Sequence, residues 1–187
     1  MNILHFISMR NVFIAAILCF PGASFAQADG SSLPISPDTK LITYQDVVKA
    51  DGLSKQLFNR AVNWINVNYK NPADVTKVRN PESGLIEILH RFDLSRIDDK
   101  GNKVAAGVVI YTLRLELKDG RYRYTITDMS LKSASRFPVE RWLDKTDKAY
   151  NPNYALFLTQ LDKQVKEVIA SLKKGMLSDV QPKKDTW

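Results

Sequence analysis

The stretch Lys118-Asp119-Gly120-Arg121, set between LRLEL and YRYTI, constrains the fold of this chain more than any other. Asp-Gly between two alternating runs predicts a two-residue type I′ turn, with both central residues at φ > 0. A two-residue turn also fixes register. Lys118 faces Arg121, so Leu117 faces Tyr122, Leu115 faces Tyr124 and Leu113 faces Ile126. One side of this hairpin is wholly apolar or aromatic, whereas the other pairs Glu116 with Arg123 and Arg114 with Thr125. Turn chemistry and side-chain alternation agree, the mark of a correctly read register.

The same alternation extends upstream. Asp98-Asp99-Lys100-Gly101-Asn102-Lys103 reads as a second turn; with Asp98 facing Lys103, Ile97 faces Val104, His90 faces Tyr111 and Glu87 faces Arg114. Three strands then share one core face and one polar face, as in an antiparallel sheet covered on one side. A short strand over Val75–Arg79 precedes the Asn80–Gly84 turn, and Leu41–Lys49, rich in β-branched residues, reads as the first strand. Helical periodicity appears twice. Over Ser54–Lys70, Leu57, Phe58, Ala61, Val62, Trp64, Ile65 and Tyr69 share half of the wheel, with Ser54 as N-cap and a Leu53–Phe58 staple. The second helix runs to Lys174 behind Asn151-Pro152, with a stripe through Tyr154, Phe157, Leu161, Val165 and Leu172, and Gly175 as terminator.

The N-terminus reads as a signal peptide. Arg10 precedes the apolar run Val12–Phe20, which is too short to span a bilayer, and Ser24-Phe25-Ala26 offers a cleavage site after Ala26. The rival reading, lipidation at Cys19, meets Ala16 and Leu18 in the reverse of the order a lipobox requires. Residues 1–26 are thus expected to be removed, 27–40 to form a polar leader, 41–174 one α+β domain and 175–187 a polar tail. The expected location is the periplasm, the outer envelope or the medium, and no later apolar run of spanning length points to an integral membrane protein. Beyond residue 26 the chain keeps one histidine, His90, and no cysteine, which excludes disulfides, a thiol nucleophile, a thiolate zinc site and a multi-histidine metal cluster.

Leu33-Pro34, Lys40–Val48 (KLITYQDVV), the tryptophan-bearing helix LFNRAVNWINVNY and Val109–Asp128 (VIYTLRLELKDGRYRYTITD) resemble a family of secreted Gram-negative bacterial proteins, domain of unknown function 4468. The resemblance covers about residues 33–174. It implies a TBP-like α+β fold: a curved antiparallel sheet of about five strands with two helices packed on one face, in the order β-α-β-β-β-β-α. The family carries no catalytic residues to transfer, and a fold name alone gives no function.

No enzyme, cofactor or metal site is expected. His90 fits a core histidine bonded to a tyrosine better than a catalytic base. The Asp98–Asn102 loop lacks the ligand spacing and terminal Glu of a calcium loop. Gly52-Leu53-Ser54 lacks the second glycine of a nucleophile elbow. Glu140 with Asp144 or Asp147 is expected as surface charge rather than an acid–base pair. Two surfaces remain. The net charge of +7 gathers partly on the last helix, where Lys163, Lys166, Lys173 and Lys174 form a candidate patch for an anionic envelope component; export argues against nucleic acid. The uncovered sheet face, with Leu89, Ile110, Arg114 and Met129, is a candidate protein interface. The leading expectation is a non-enzymatic exported module that binds a protein or envelope component. Its alternative is a carrier of a small apolar ligand between helices and sheet, in a cavity lined by Trp64, Tyr69, Tyr111, Tyr122 and Tyr124.

Overall fold

A computed structural model describes residues 33–133 and 135–177. Its elements run β1 (Tyr44–Lys49), α1 (Ser54–Asn68), α2 (Pro72–Val75), β2 (Thr76–Asn80), β3 (Leu85–Ile97), β4 (Lys103–Lys118), β5 (Arg121–Leu131), β6 (Phe137–Pro138), a 3-10 turn (Val139–Leu143) and α3 (Asn153–Gly175). They form a six-stranded antiparallel sheet in the order β1-β5-β4-β3-β2, with β6 paired to β5. This is the expected α+β architecture. The sixth strand and the 3-10 turn come from the Ser133–Tyr150 connection, which is too short in regular pattern to announce them. Signal peptide, Ala26, Cys19 and residues 178–187 lie outside the described residues.

The β4–β5 register is the one that the Asp-Gly turn demands, from Lys118↔Arg121 through Leu113↔Ile126. The turn itself differs. Gly120 has φ 72, while Asp119 keeps a negative φ, so the type I′ geometry is not formed. The physical reason is that the tip packs on the start of α1: Gly120 N–H donates to Gly52 O (2.9 Å), and Asp119 Oδ1 accepts from Ser54 N–H (2.6 Å). Asp119, sixty-five residues away in sequence, therefore caps α1. Leu53 holds the N-cap position and Ser54 does not; Ser54 Oγ donates to Leu117 O instead (2.9 Å). Leu53 is 62% exposed, so the expected Leu53–Phe58 staple does not form.

In the β3–β4 hairpin the expected register holds from Ile86↔Leu115 to Phe92↔Val109 and fails at the loop, where Ile97 faces Lys103 rather than Val104. Two pairings, Leu94↔Gly107 and Ser95↔Ala105, leave Ala106 as an extra residue in β4, and this bulge restores the register. A second bulge lies between Ile110↔Ser130 and Thr112↔Thr127, where Asp128 takes φ 65. It reverses which side of the sheet the end of β5 faces. Met129, expected on the open face, is turned into the core with 1% exposure.

The core lies between the sheet and α1 with α3. Ile86, Ile88, Leu113, Leu115, Tyr122 and Ile126 rise from the sheet to meet Leu57, Ala61, Ile65, Leu161 and Val165. Leu33, in the middle of the expected 27–40 leader, joins this core and Ile35 bridges Ile42, so the domain starts before residue 41. The bulge at Ala106 also shapes helix docking: Gln160 of α3 accepts from Ser95 N–H (3.1 Å) and donates to Ser95 O (2.7 Å).

Candidate functional site

His90 sits at the centre of an aromatic column. Its ring stacks on Tyr111 (4.9 Å, 25°) and meets Tyr69 edge-on (5.5 Å), which meets Trp64 in turn (5.9 Å). Tyr69 Oη and His90 Nδ1 are 2.7 Å apart. Burial holds His90 down at about 4, well below an ordinary imidazole, and pushes the Tyr69 and Tyr111 hydroxyls up. The imidazole is thus a neutral core group tied to a tyrosine. The rings expected to line a cavity pack on one another in this region, with Tyr111 fully buried and Tyr122 nearly so.

The four lysines of α3 are all exposed but differ in their partners. Lys166 Nζ lies 2.6 Å from Asp162 Oδ2, and Lys173 Nζ lies 3.1 Å from Asp46 Oδ2 and over the Tyr124 ring (5.6 Å). The Asp46 bond raises Lys173 above an ordinary lysine. Lys163 and Lys174 have no ion pair among the described residues. The stretch reads as uniformly basic because Asp46 is far away in sequence and Asp162 lies on the buried side of the helix.

Asp162 was the residue least visible in advance. It interrupts the apolar stripe, is 9% exposed, and accepts from Tyr44 Oη through Oδ1 (2.8 Å) while Lys166 holds Oδ2. Glu140 also departs from expectation. It points inward, with Oε1 accepting from Ile42 N–H (2.9 Å). Asp147 holds Arg141 (2.8 Å) and Asp144 holds Thr146 (2.6 Å), so the three acids serve separate partners.

The open face of the sheet presents Leu85, Leu89 and Ile110, all half-buried, beside exposed Arg114. Its charges pair across strands: Arg123 with Glu116 (2.6 Å) and Arg114 with Glu87 (3.9 Å). Arg136 grips Asp128 at the β5 bulge. A hollow of about 310 Å³ lies between Leu89, Ile110 and Arg136. On the opposite side, a larger groove of about 430 Å³ opens between α1, α2 and the edge strand β2, lined by Val62, Ile65, Ile86, Pro72, Ala73 and Arg79 among others. The sequence hides it, because it arises where α1 stops covering the last strand. Among the described residues, no helix is long and apolar enough to cross a membrane.

Residues 44–132 match the family model described as a Domain of unknown function (DUF4468) with TBP-like fold. The crystal structure of a TBP-like protein from Parabacteroides distasonis ATCC 8503 superposes with a TM-score of 0.60 at 17% identity, covering 77% of this chain and 96% of that one. That of a DUF4468 family protein from Bacteroides ovatus ATCC 8483 gives 0.61 at 12% identity, covering 80% and 94%. The resemblance read from the KDGRYRYT hairpin is thereby shown, and at these identities the two structures establish the fold alone. No curated protein matches the sequence.

Proposed function

We propose that this chain is an exported, non-enzymatic binding module whose open sheet face docks a protein of the cell envelope. The observation that carries this reading is the difference between the two sheet faces. α1 and α3 pack on one, while the other leaves Leu85, Leu89 and Ile110 partly exposed between charges that already neutralise each other. Apolar side chains inside a self-paired polar rim suit a protein surface. An anionic lipid or polysaccharide would be drawn by unpaired positive charge, and two of the four lysines on α3 already hold carboxylates.

The non-enzymatic part of the reading is supported by the use of the acid–base groups. His90 is committed to Tyr69, Glu140 to Ile42 and Asp147 to Arg141, so each has a structural task. Export is supported by Arg10, the apolar run behind it and the Ser24-Phe25-Ala26 site.

A photo-crosslinking residue placed at Ile110, and separately at Lys163, tests docking in the intact envelope of the producing cell. Adducts of one discrete mass from Ile110, absent from Lys163 and lost on Leu89→Glu, support the reading. Adducts from both positions, or from neither, remove it. N-terminal sequencing of the same preparation should find Gln27 first, and a chain that keeps the Val12–Phe20 run removes the export half.

A further inference from the structure

We propose that the groove between α1, α2 and β2 binds a single-chain fatty acid, its chain on the groove floor and its carboxylate on Arg79. The volume of about 430 Å³ falls within the range of roughly 300–1,000 Å³ that small-ligand sites occupy. The lining is mainly apolar: half-buried Val62 and Pro72 and exposed Ala73 offer the accessible surface, over Ile65 and Ile86, which the core almost wholly covers. Pro72 and Ala73 form the facing wall, on a helical turn pinned by Thr76 Oγ1 donating to Pro72 O (2.7 Å).

The mouth supplies one cation. β2 is an edge strand, and its register shift between Thr76 and Val78 sets Arg79 opposite Ile86, so the guanidinium stands on the side of the sheet where the groove floor lies. Arg79 is exposed, holds no carboxylate among the described residues, and is the one charged side chain of the groove lining. A planar guanidinium at the end of an apolar trough complements one carboxylate, gripped by two parallel hydrogen bonds, and one hydrocarbon chain. A neutral amphiphile would leave Arg79 unused, and a cationic one would be repelled.

This site lies on the helix-covered side of the sheet, away from Ile110, so its failure and failure of the docking reading are separable. Calorimetric titration of the full mature chain with dodecanoate, below its micelle concentration, is the test, with dodecan-1-ol and dodecyltrimethylammonium as charge controls. Dodecanoate is expected to bind roughly tenfold or more tightly than the alcohol, the scale of one charge-assisted pair. Arg79→Gln should bring dodecanoate down to the alcohol without moving the unfolding midpoint, since Arg79 is exposed. Ala73→Trp, or Asn66→Trp should that variant not fold, fills the trough and should abolish binding of both. The proposal is overturned by any of three results: no dodecanoate binding, an affinity indifferent to Arg79→Gln, or binding that survives the filled groove.

Discussion

Gly175 of α3 lies directly against the indole of Trp64 on α1: a Cβ at position 175 would stand 2.6 Å from Trp64 Cδ1. The same edge of the indole is held in place, because Nε1, bonded to Cδ1, donates to Ser171 Oγ (3.0 Å), which donates to Asn68 Oδ1 (3.0 Å). The two helices therefore approach as closely as a hydrogen atom permits, and the glycine that reads as a terminator is instead the last helical residue of α3, before the cap at Met176, and a contact.

Gly175→Ala distinguishes these roles by its sign. In an unobstructed helix the change would stabilise by up to about 1 kcal/mol. Here overpacking against Trp64 should destabilise by roughly 1–3 kcal/mol. Urea unfolding gives the sign, and a stabilised variant would mean that α1 and α3 part easily at this end.

Asp119 should matter to a helix outside its own hairpin. Asp119→Ala removes the acceptor for Ser54 N–H and is expected to cost about 0.5–2 kcal/mol, the usual loss for a cap. Asp119→Asn keeps an acceptor and should recover most of it. Equal losses for the two variants in thermal unfolding would assign the effect to charge rather than to the hydrogen bond.

Tyr44, Asp162 and Lys166 should behave as one unit. Asp162→Ala strands the buried Tyr44 hydroxyl and should cost about 1–3 kcal/mol, more than Tyr44→Phe alone. The double variant should cost less than the two single losses added together, and additivity within about 0.5 kcal/mol would show that the residues do not interact.

His90 makes stability depend on pH. Its folded value of about 4 lies below the ordinary 6.5, so between those limits the unfolded chain binds a proton that the folded chain refuses. Stability is fully present above about pH 6.5, falls on acidification towards about pH 4, and then levels off as far as this group is concerned. The slope contributed is at most about 1.4 kcal/mol per pH unit. Denaturant midpoints for the parent and for His90→Gln should converge as pH drops from 7 to 4.5, and parallel curves would remove His90 as the cause.

The elements that could be read in advance are those specified locally. Lys118-Asp119-Gly120-Arg121 carries its register within four residues, and the stripe from Tyr154 to Leu172 carries its own burial. What escaped depends on partners distant in sequence. Asp162 looks like a fault in the stripe until Tyr44 is brought beside it, and Lys173 looks free until Asp46 arrives from the first strand. The two bulges differ in this respect: Gly107 (φ 131) marks the break beside Ala106, whereas Asp128 breaks the alternation with no Gly or Pro beside it, so a count that is correct as far as Thr127 puts Met129 on the wrong side. The groove at Arg79 was invisible because it follows from how far α1 extends over β2, which helical periodicity does not state.

The two bulges also bear on how such a chain can vary by descent. Facing along a strand is counted modulo two, and each extra residue resets the count. Exchanging Asp128 for another residue alters one conformation, whereas deleting it would carry Met129 to the open face and the buried Ser130 to the helix-covered face together. The same holds at Ala106, where one residue lost would reverse everything between it and the Asp98–Asn102 loop relative to β3. No substitution elsewhere restores parity; only a second insertion or deletion in the same strand can. Lineages of this domain should therefore tolerate many replacements in β4 and β5 but change strand length there only in compensating pairs, leaving single-residue length changes to the loops.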